Sequence, residues 1–368
     1  MLERLRIKGW RSIREMDLEL RPLNVLIGAN GAGKSNLIAF FKLLNEMMGQ
    51  RLQRYFGTTG RAASNLYFGP KATSQIEASL AFATEKGHNR YEIELVPAAG
   101  DGLIFGKELA QFLPKGEDRR QQVLDLGAGH AESLLGKSAN DGHPLAKVTR
   151  HLLNTCRVYH FHDTSESAPM RHFGYLGDTK FLLPNAGNLA AMLCAYQQSA
   201  RIAYDRILAT AQQILPELAE FVLEPDRANP REIALNWRRR NSDHLFGPHQ
   251  LSDGSLRAIA LITLLLQPEK ELPQLIILDE PELGLHPHAL EVVAGLIQSI
   301  APTCQILVAT QSAAFLSFFE AKDVVVVETQ ADSSIYRRLD LDALESWLAD
   351  YSLEELWRRN VLGGGPLS

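Results

Sequence analysis

The 368-residue chain carries 38 Lys and Arg against 43 Asp and Glu, a formal net charge of −5, and is 45% hydrophobic. That suits one large domain, or a domain with a sizeable insertion, and it sets up no global basic field of the kind that announces nucleic acid, while leaving local patches open. Cys156, Cys194 and Cys304 have neither disulfide nor zinc spacing, the charged first ten residues are no signal peptide, and the apolar run 258–266 is too short to cross a bilayer, so a soluble cytoplasmic protein with no membrane partner is expected.

In chain order, Leu5 and Ile7, then Met16, Leu18 and Leu20, alternate with charged residues and predict two antiparallel strands broken at Gly9-Trp10-Arg11-Ser12. Leu23-Asn24-Val25-Leu26-Ile27 is a short buried strand, and residues 36–44 have the apolar spacing of a helix. Residues 75–83 and 90–96 read as a hairpin. Residues 97–150 show little regularity beyond a helix suggested over 107–112, and are read as a variable peripheral insertion. A strand is expected over 157–162, helices over 188–199 and 201–214, and a strand over 233–240. A strongly apolar helix follows at 256–266, a buried strand at 275–280, a helix at 288–300 and another buried strand at 305–312. A hairpin (324–328 with 335–339), one helix (341–359) and a fraying glycine tail (363–366) close the chain. Continuous apolar strands separated by helices argue for a mainly parallel sheet covered on both faces.

Between the strand at 23–27 and its helix lies Gly28-Ala29-Asn30-Gly31-Ala32-Gly33-Lys34-Ser35, or G-x-x-x-x-G-K-S in the strand–loop–helix setting that motif demands. The glycines let backbone N–H groups turn inward as a nest for phosphate oxygens, and the helix N-terminus adds positive potential. Asn30, Gly31, Ala32, Gly33, Lys34, Ser35 and Asn36 are therefore the candidate ATP-binding residues, with Ser35 also a Mg²⁺ ligand. Asp279, closing Leu275-Ile276-Ile277-Leu278, is the second candidate Mg²⁺ residue, and Glu280 the candidate base or water-orienting group.

Residues 28–35 resemble a Walker A motif, 275–280 a Walker B with its adjacent glutamate, 251–255 the ABC signature, and 281–287 a D-loop. With the opening Leu-x-Ile-x-x-Trp-x-Ser-Ile-like run, the chain resembles the RecF/SMC-like ABC ATPases of the AAA-21 type, OLD-like without the TOPRIM nuclease domain. The resemblance covers nearly the whole chain. It implies an α/β fold: an ABC-type P-loop head (1–368) with a mixed sheet, an antiparallel N-terminal β subdomain and a helical, signature-bearing lobe at 185–257. It further implies that Ser252, Asp253 and Gly254 contact the γ-phosphate held by another copy, so that ATP is sandwiched in a head-to-tail homodimer. The signature departs from L-S-G-G-Q at Asp253 and Ser255. Gln311 stands where the family usually has a switch histidine; it is a candidate catalytic residue that can hydrogen-bond but cannot become cationic.

The Q-loop glutamine is not placed; Gln75 and the polar stretch after His162 are its candidates. His160 and His162, and His286 and His288, invite a metal reading, with no third ligand in view. Residues 163–167 could lie near nucleotide or partner. Trp237-Arg238-Arg239-Arg240 and Arg119-Arg120 are either DNA phosphate contacts or solvated surface. The expected function is ATP hydrolysis by a dimerising head, coupled to DNA or to a separate effector such as a nuclease, in repair or anti-phage defence. A slow nucleotide-dependent switch and a transporter ATPase subunit are the alternatives.

Overall fold

The alternation of the first twenty residues is realised as a hairpin. Leu2–Trp10 and Ile13–Glu19 pair antiparallel, with Leu5 opposite Leu18 and Ile7 opposite Met16. These four side chains are buried on one face, while Arg4 and Arg6 bind Asp17 on the other. The computed structural model describes residues 1–116 and 120–365. The chain divides into two compact units: the first holds Met1–Val158, Pro273–Ile277 and the chain from Gln305 onward, the second Tyr159–Leu272 and Leu278–Cys304.

Two six-stranded sheets build the first unit. One is an antiparallel meander in the order Ile13–Glu19, Leu2–Trp10, Ile76–Thr84, Gly87–Ala98, Gly102–Pro114, Gln122–Gly127. The other runs Ser333–Arg338, Val324–Gln330, Leu23–Ile27, Gln305–Thr310, Leu275–Asp279, Cys156–Tyr159, the last two strands passing into the second unit at their ends. Leu23–Ile27 is buried at every residue, Asn24 included, and pairs in parallel with a neighbour on each side, as its largely apolar run predicts. The helix Lys34–Met48 buries Leu37, Phe40, Phe41 and Leu44 in one cluster with Leu80, Tyr91 and Phe105 of the meander. The second unit carries the helices Leu189–Ser199, Arg201–Ile214, Asp253–Leu266 and Pro287–Ile300, and a small sheet of Leu218–Val222, Asn236–Arg239 and Leu245–Phe246.

Several expectations are corrected. The helix over 107–112 is part of the strand Gly102–Pro114. Glu94 pairs with Lys107 and Leu95 with Phe105, so Gly106 is bulged out. The bulge moves the buried positions from Leu103 and Phe105 to Glu108 and Ala110, and this change of phase hides the period-2 pattern. The stretch 97–150 also supplies the strand Gln122–Gly127 and the helices Leu135–Asn140 and Pro144–Asn154, and Phe105, Leu135, Leu152 and Leu153 belong to the core. The strand over 233–240 is two pieces, Glu232–Ile233 and Asn236–Arg239. The helix over 341–359 is also two, Leu341–Asp350 and Leu353–Arg358. The second begins at a capping box, in which Ser352 Oγ accepts from Glu355 N and Glu355 Oε2 accepts from Ser352 N. The glycine tail is packed rather than frayed: Gly364 O accepts from Ala29 N at 3.0 Å. Arg119 and Pro366 lie outside the described residues.

Candidate functional site

The phosphate loop joins the central strand to the helix Lys34–Met48 in the first unit. Gly31 (φ +82°) and Gly33 (φ +117°) take conformations that L side chains resist, which is why the motif needs glycine there. Gly33 precedes the helix, and its carbonyl accepts from Asn36 N at 2.9 Å and Leu37 N at 3.2 Å. Lys34 is buried, its Nζ donating to Gly28 O at 2.6 Å and Ala29 O at 3.1 Å, so its charge is held against the loop. Asn30 and Ser35 are exposed, Ala32 is buried, and Asn36 is half-buried with Nδ2 donating to Ser12 Oγ at 2.6 Å. Gln311 is exposed just after the strand Gln305–Thr310. It lines a cleft of about 640 Å³ together with Gly28, Ala29, Asn30, Ala32, Trp357 and Gly364, so the structure joins the loop and Gln311 in one cavity.

The other candidates gather in the second unit. Ser252 caps the helix Asp253–Leu266, its Oγ accepting from Ser255 N at 3.1 Å. Ser252 and Asp253 are exposed, and Gly254 is half-buried. A Cβ on Gly254 would stand 2.5 Å from Gly284 O, so glycine lets the loop 281–287 lie against the turn at 251–255. Two buried arginines hold these loops. Arg171 donates to Thr164 O (2.7 Å), Pro248 O (2.8 Å), Leu251 O (3.1 Å) and Asp253 Oδ1 (2.6 Å). Arg257 donates to Phe161 O (2.8 Å), His162 O (3.0 Å) and Leu283 O, and burial lowers its pKa.

Asp279 ends the buried strand Leu275–Asp279, and Glu280 follows it. Glu280 has φ +42°, a strained setting for a non-glycine residue and of the kind that clusters at functional sites. His160 Nδ1 lies 3.3 Å from Asp279 Oδ2, and His162 Nε2 lies 2.8 Å from Asp279 O. A carbonyl only accepts, so His162 Nε2 carries the proton. Burial, and then the neighbouring His160, lower the His162 pKa and favour the neutral ring. His162 thus buttresses the acidic strand end, a role the sequence reading missed. The signal was a His-x-His just past the strand Cys156–Tyr159, which stops short of the expected 157–162 and neighbours the acidic strand. Among the described residues no group of three or more His, Cys, Asp or Glu is placed to hold a metal. His286 instead caps the helix Pro287–Ile300 through Nδ1.

The remaining candidates sit apart from these constellations. Gln75 bonds Glu77 ahead of the strand Ile76–Thr84. Asp163 accepts from Ser165 N and Oγ in a local turn, which lowers its pKa. Arg238 pairs with Glu220 at 2.7 Å and Arg239 with Glu217 at 3.8 Å, so much of the basic charge at 238–240 is offset by adjacent acids.

Comparison with known proteins places the chain. The family model described as "AAA domain, putative AbiEii toxin, Type IV TA system" matches residues 153–317, and a second, described as "AAA domain", matches residues 4–127. The chain is similar to the OLD nuclease of Thermus scotoductus, with 25% identity over 373 residues covering 94% of this chain and 66% of that protein, so it spans less than two thirds of the relative's length. In fold it is similar to an Smc head bound to the C-winged helix domain of ScpA (TM-score 0.59, 14% identity, covering 94% of this chain and 99% of that one). It is also similar to an Smc head with an extended coiled coil bound to the C-terminal domain of ScpA derived from Pyrococcus furiosus (TM-score 0.58, 12% identity, covering 95% of this chain and 98% of that one). These matches support a P-loop ATPase similar to the RecF/SMC-like proteins of the OLD type, and the fold is the head fold expected from its motifs.

Proposed function

We propose that this ATPase works as a head-to-tail homodimer that closes on ATP, opens after hydrolysis, and passes that motion to DNA or to a separate effector such as a nuclease. The observation that carries the reading is the signature turn. Ser252, Asp253 and the start of a fourteen-residue helix are presented to solvent, and a buried arginine fixes the turn from behind. A helix N-terminus of this kind is an anion site, and another copy's γ-phosphate is the anion that the motif implies. Leu283, 44% exposed in the adjoining D-loop, is an apolar contact ready for the same partner.

In this reading the N–H groups of 30–36 and Lys34 Nζ bind the phosphates, Lys34 leaving the carbonyls of Gly28 and Ala29 to do so. Ser35 and Asp279 each carry a hard oxygen donor of the kind Mg²⁺ takes. Mg²⁺, when bound, would neutralise charge on the phosphates. Glu280 carries the carboxylate that the motif assigns to orienting water, and Gln311, beside the loop, hydrogen-bonds the γ-phosphate. The similarity to a protein named as a nuclease supports nucleic acid as the coupled substrate class. The free, buried thiols of Cys156 and Cys194 support a reducing, cytoplasmic setting.

Glu280→Gln with Mg-ATP is expected to run at twice the monomer mass, and Ser252→Arg to stay monomeric; monomers in both cases refute the dimer. Gln311 favours a second reading, a slow switch, because glutamine cannot add positive charge to the γ-phosphate. Single-turnover hydrolysis with and without DNA separates the two: acceleration by DNA supports the coupled ATPase, and an equally slow rate in both supports the switch.

A further inference from the structure

The strand Ser333–Arg338 touches the phosphate loop at its most constrained residue. A Cβ on Gly33 would collide with Ser334 Oγ, so glycine is needed for this approach as well as for its φ of +117°. Tyr336 donates its phenol hydrogen to Gly33 O at 2.8 Å. Burial raises the Tyr336 pKa, so the hydroxyl stays a donor. The Gly33–Lys34 peptide is planar and trans, with its C=O and N–H pointing to opposite sides. Anchoring the oxygen on Tyr336 therefore aims the Lys34 N–H, one of the donors of the phosphate nest.

A second branch runs beside the first. Ser334 N donates to Ser12 O at 2.8 Å, and Ser334 Oγ lies 2.6 Å from Ser12 Oγ. Ser12 Oγ accepts from Asn36 Nδ2 at 2.6 Å, and Asn36 O accepts from Trp10 Nε1 at 2.8 Å. The residue after Ser35 is thus tied to a strand some three hundred positions away. Every member of the network lies in the first unit.

We infer that Tyr336 and Ser334 are positioning residues for the phosphates of ATP, acting through the Gly33–Lys34 peptide and through Ser12 and Asn36. The inference rests on the reading of residues 28–35 as the ATP loop. Contacts from the nest to the phosphates are made alike in the ground and transition states, so their loss falls on KM rather than kcat.

The test uses the full chain with Mg-ATP turnover and ADP titration. Tyr336→Phe keeps the ring and removes one hydrogen bond, and is expected to raise KM for ATP and Kd for ADP by about 5- to 10-fold, with kcat within about twofold. Ser334→Ala is expected to shift both constants in the same direction by about 2- to 5-fold, and stands in if the tyrosine variant fails to fold. Tyr204→Phe removes a buried hydroxyl from the second unit, where it accepts from Gln197, and should leave KM and Kd unchanged. Wild-type KM and Kd in the folded Tyr336 and Ser334 variants, or a fall in kcat alone, overturns the inference, as does an equal KM shift in Tyr204→Phe. Lys34→Ala run in parallel keeps the failures apart. If it binds ATP like the wild type, the loop reading itself is wrong; if it loses ATP while Tyr336→Phe does not, only the positioning inference is.

Discussion

Arg171→Met removes a guanidinium that holds the signature turn from inside the second unit. The four acceptors are unequal. Asp253 is 67% exposed at its side chain, so water can replace its pairing and that bond counts for little. The carbonyls of Thr164, Pro248 and Leu251 receive theirs in buried positions. Hydrogen bonds from a charged donor contribute about 1.5 kcal/mol each at the low end, which puts three near 4.5 kcal/mol; allowing for water that enters after the substitution, the expected loss is about 3 kcal/mol. Met keeps the apolar stem packing, so the loss is not a cavity effect. Lysine is no substitute, because one ammonium on a flexible stem cannot face four acceptors spread around a planar fork. Guanidinium titration followed by tryptophan fluorescence measures the loss, Trp237 reporting on the second unit. Size measurement with ATP on Glu280→Gln, with and without the Arg171 change, measures the consequence. A destabilisation under about 1 kcal/mol, with the ATP dimer intact, would show that water serves those carbonyls equally well and that Arg171 does not hold the turn.

Acidification should weaken the second unit through His162. Its folded pKa is depressed, so the unfolded chain takes up the proton first; the stability of the neutral ring is present above about pH 6.5 and is lost as pH falls from there through the folded pKa. Melting temperature from pH 8 to 5 should fall less steeply in His162→Gln, and identical slopes would refute the assignment. Gly254→Ala should cost about 1–3 kcal/mol in denaturant titration, because the new Cβ meets a backbone oxygen at 2.5 Å and must displace the D-loop. Gln311→Ala should slow single-turnover hydrolysis by about tenfold or more, the low-end worth (about 1.5 kcal/mol) of one hydrogen bond to a charged acceptor; no change in rate would remove Gln311 from the reaction. Cys156, whose buried thiol is pushed up to about 12, should resist alkylation in the native protein and react only on unfolding.

Local chemistry was legible along the chain. A phosphate loop needs glycine at fixed offsets, and a buried strand ending in Asp279 and Glu280 reads as such from five consecutive residues. The helix Arg201–Ile214 and the hairpin of Val324–Gln330 with Ser333–Arg338 follow from periodicity alone. Reading failed where one residue resets the pattern. Gly106 bulges and shifts by one residue which positions of its strand are buried; Ser352 caps a new helix inside a run that looks continuous.

Sequence by itself therefore pointed to residues 28–35, the acidic strand end and the turn at 251–255, because each is a short stretch whose chemistry depends on neighbours in the chain. Only the tertiary structure decided what holds those stretches in place. Arg171 and Arg257 bind loops through backbone carbonyls, which every residue type offers, so no partner is marked in the sequence. Tyr336 and Ser334 reach Gly33 from a strand some 300 residues away, and His162 meets Asp279 across 117 residues. Such pairings are set by which strands lie next to each other in a sheet, a choice made by burial over the whole core rather than by any local run of residues.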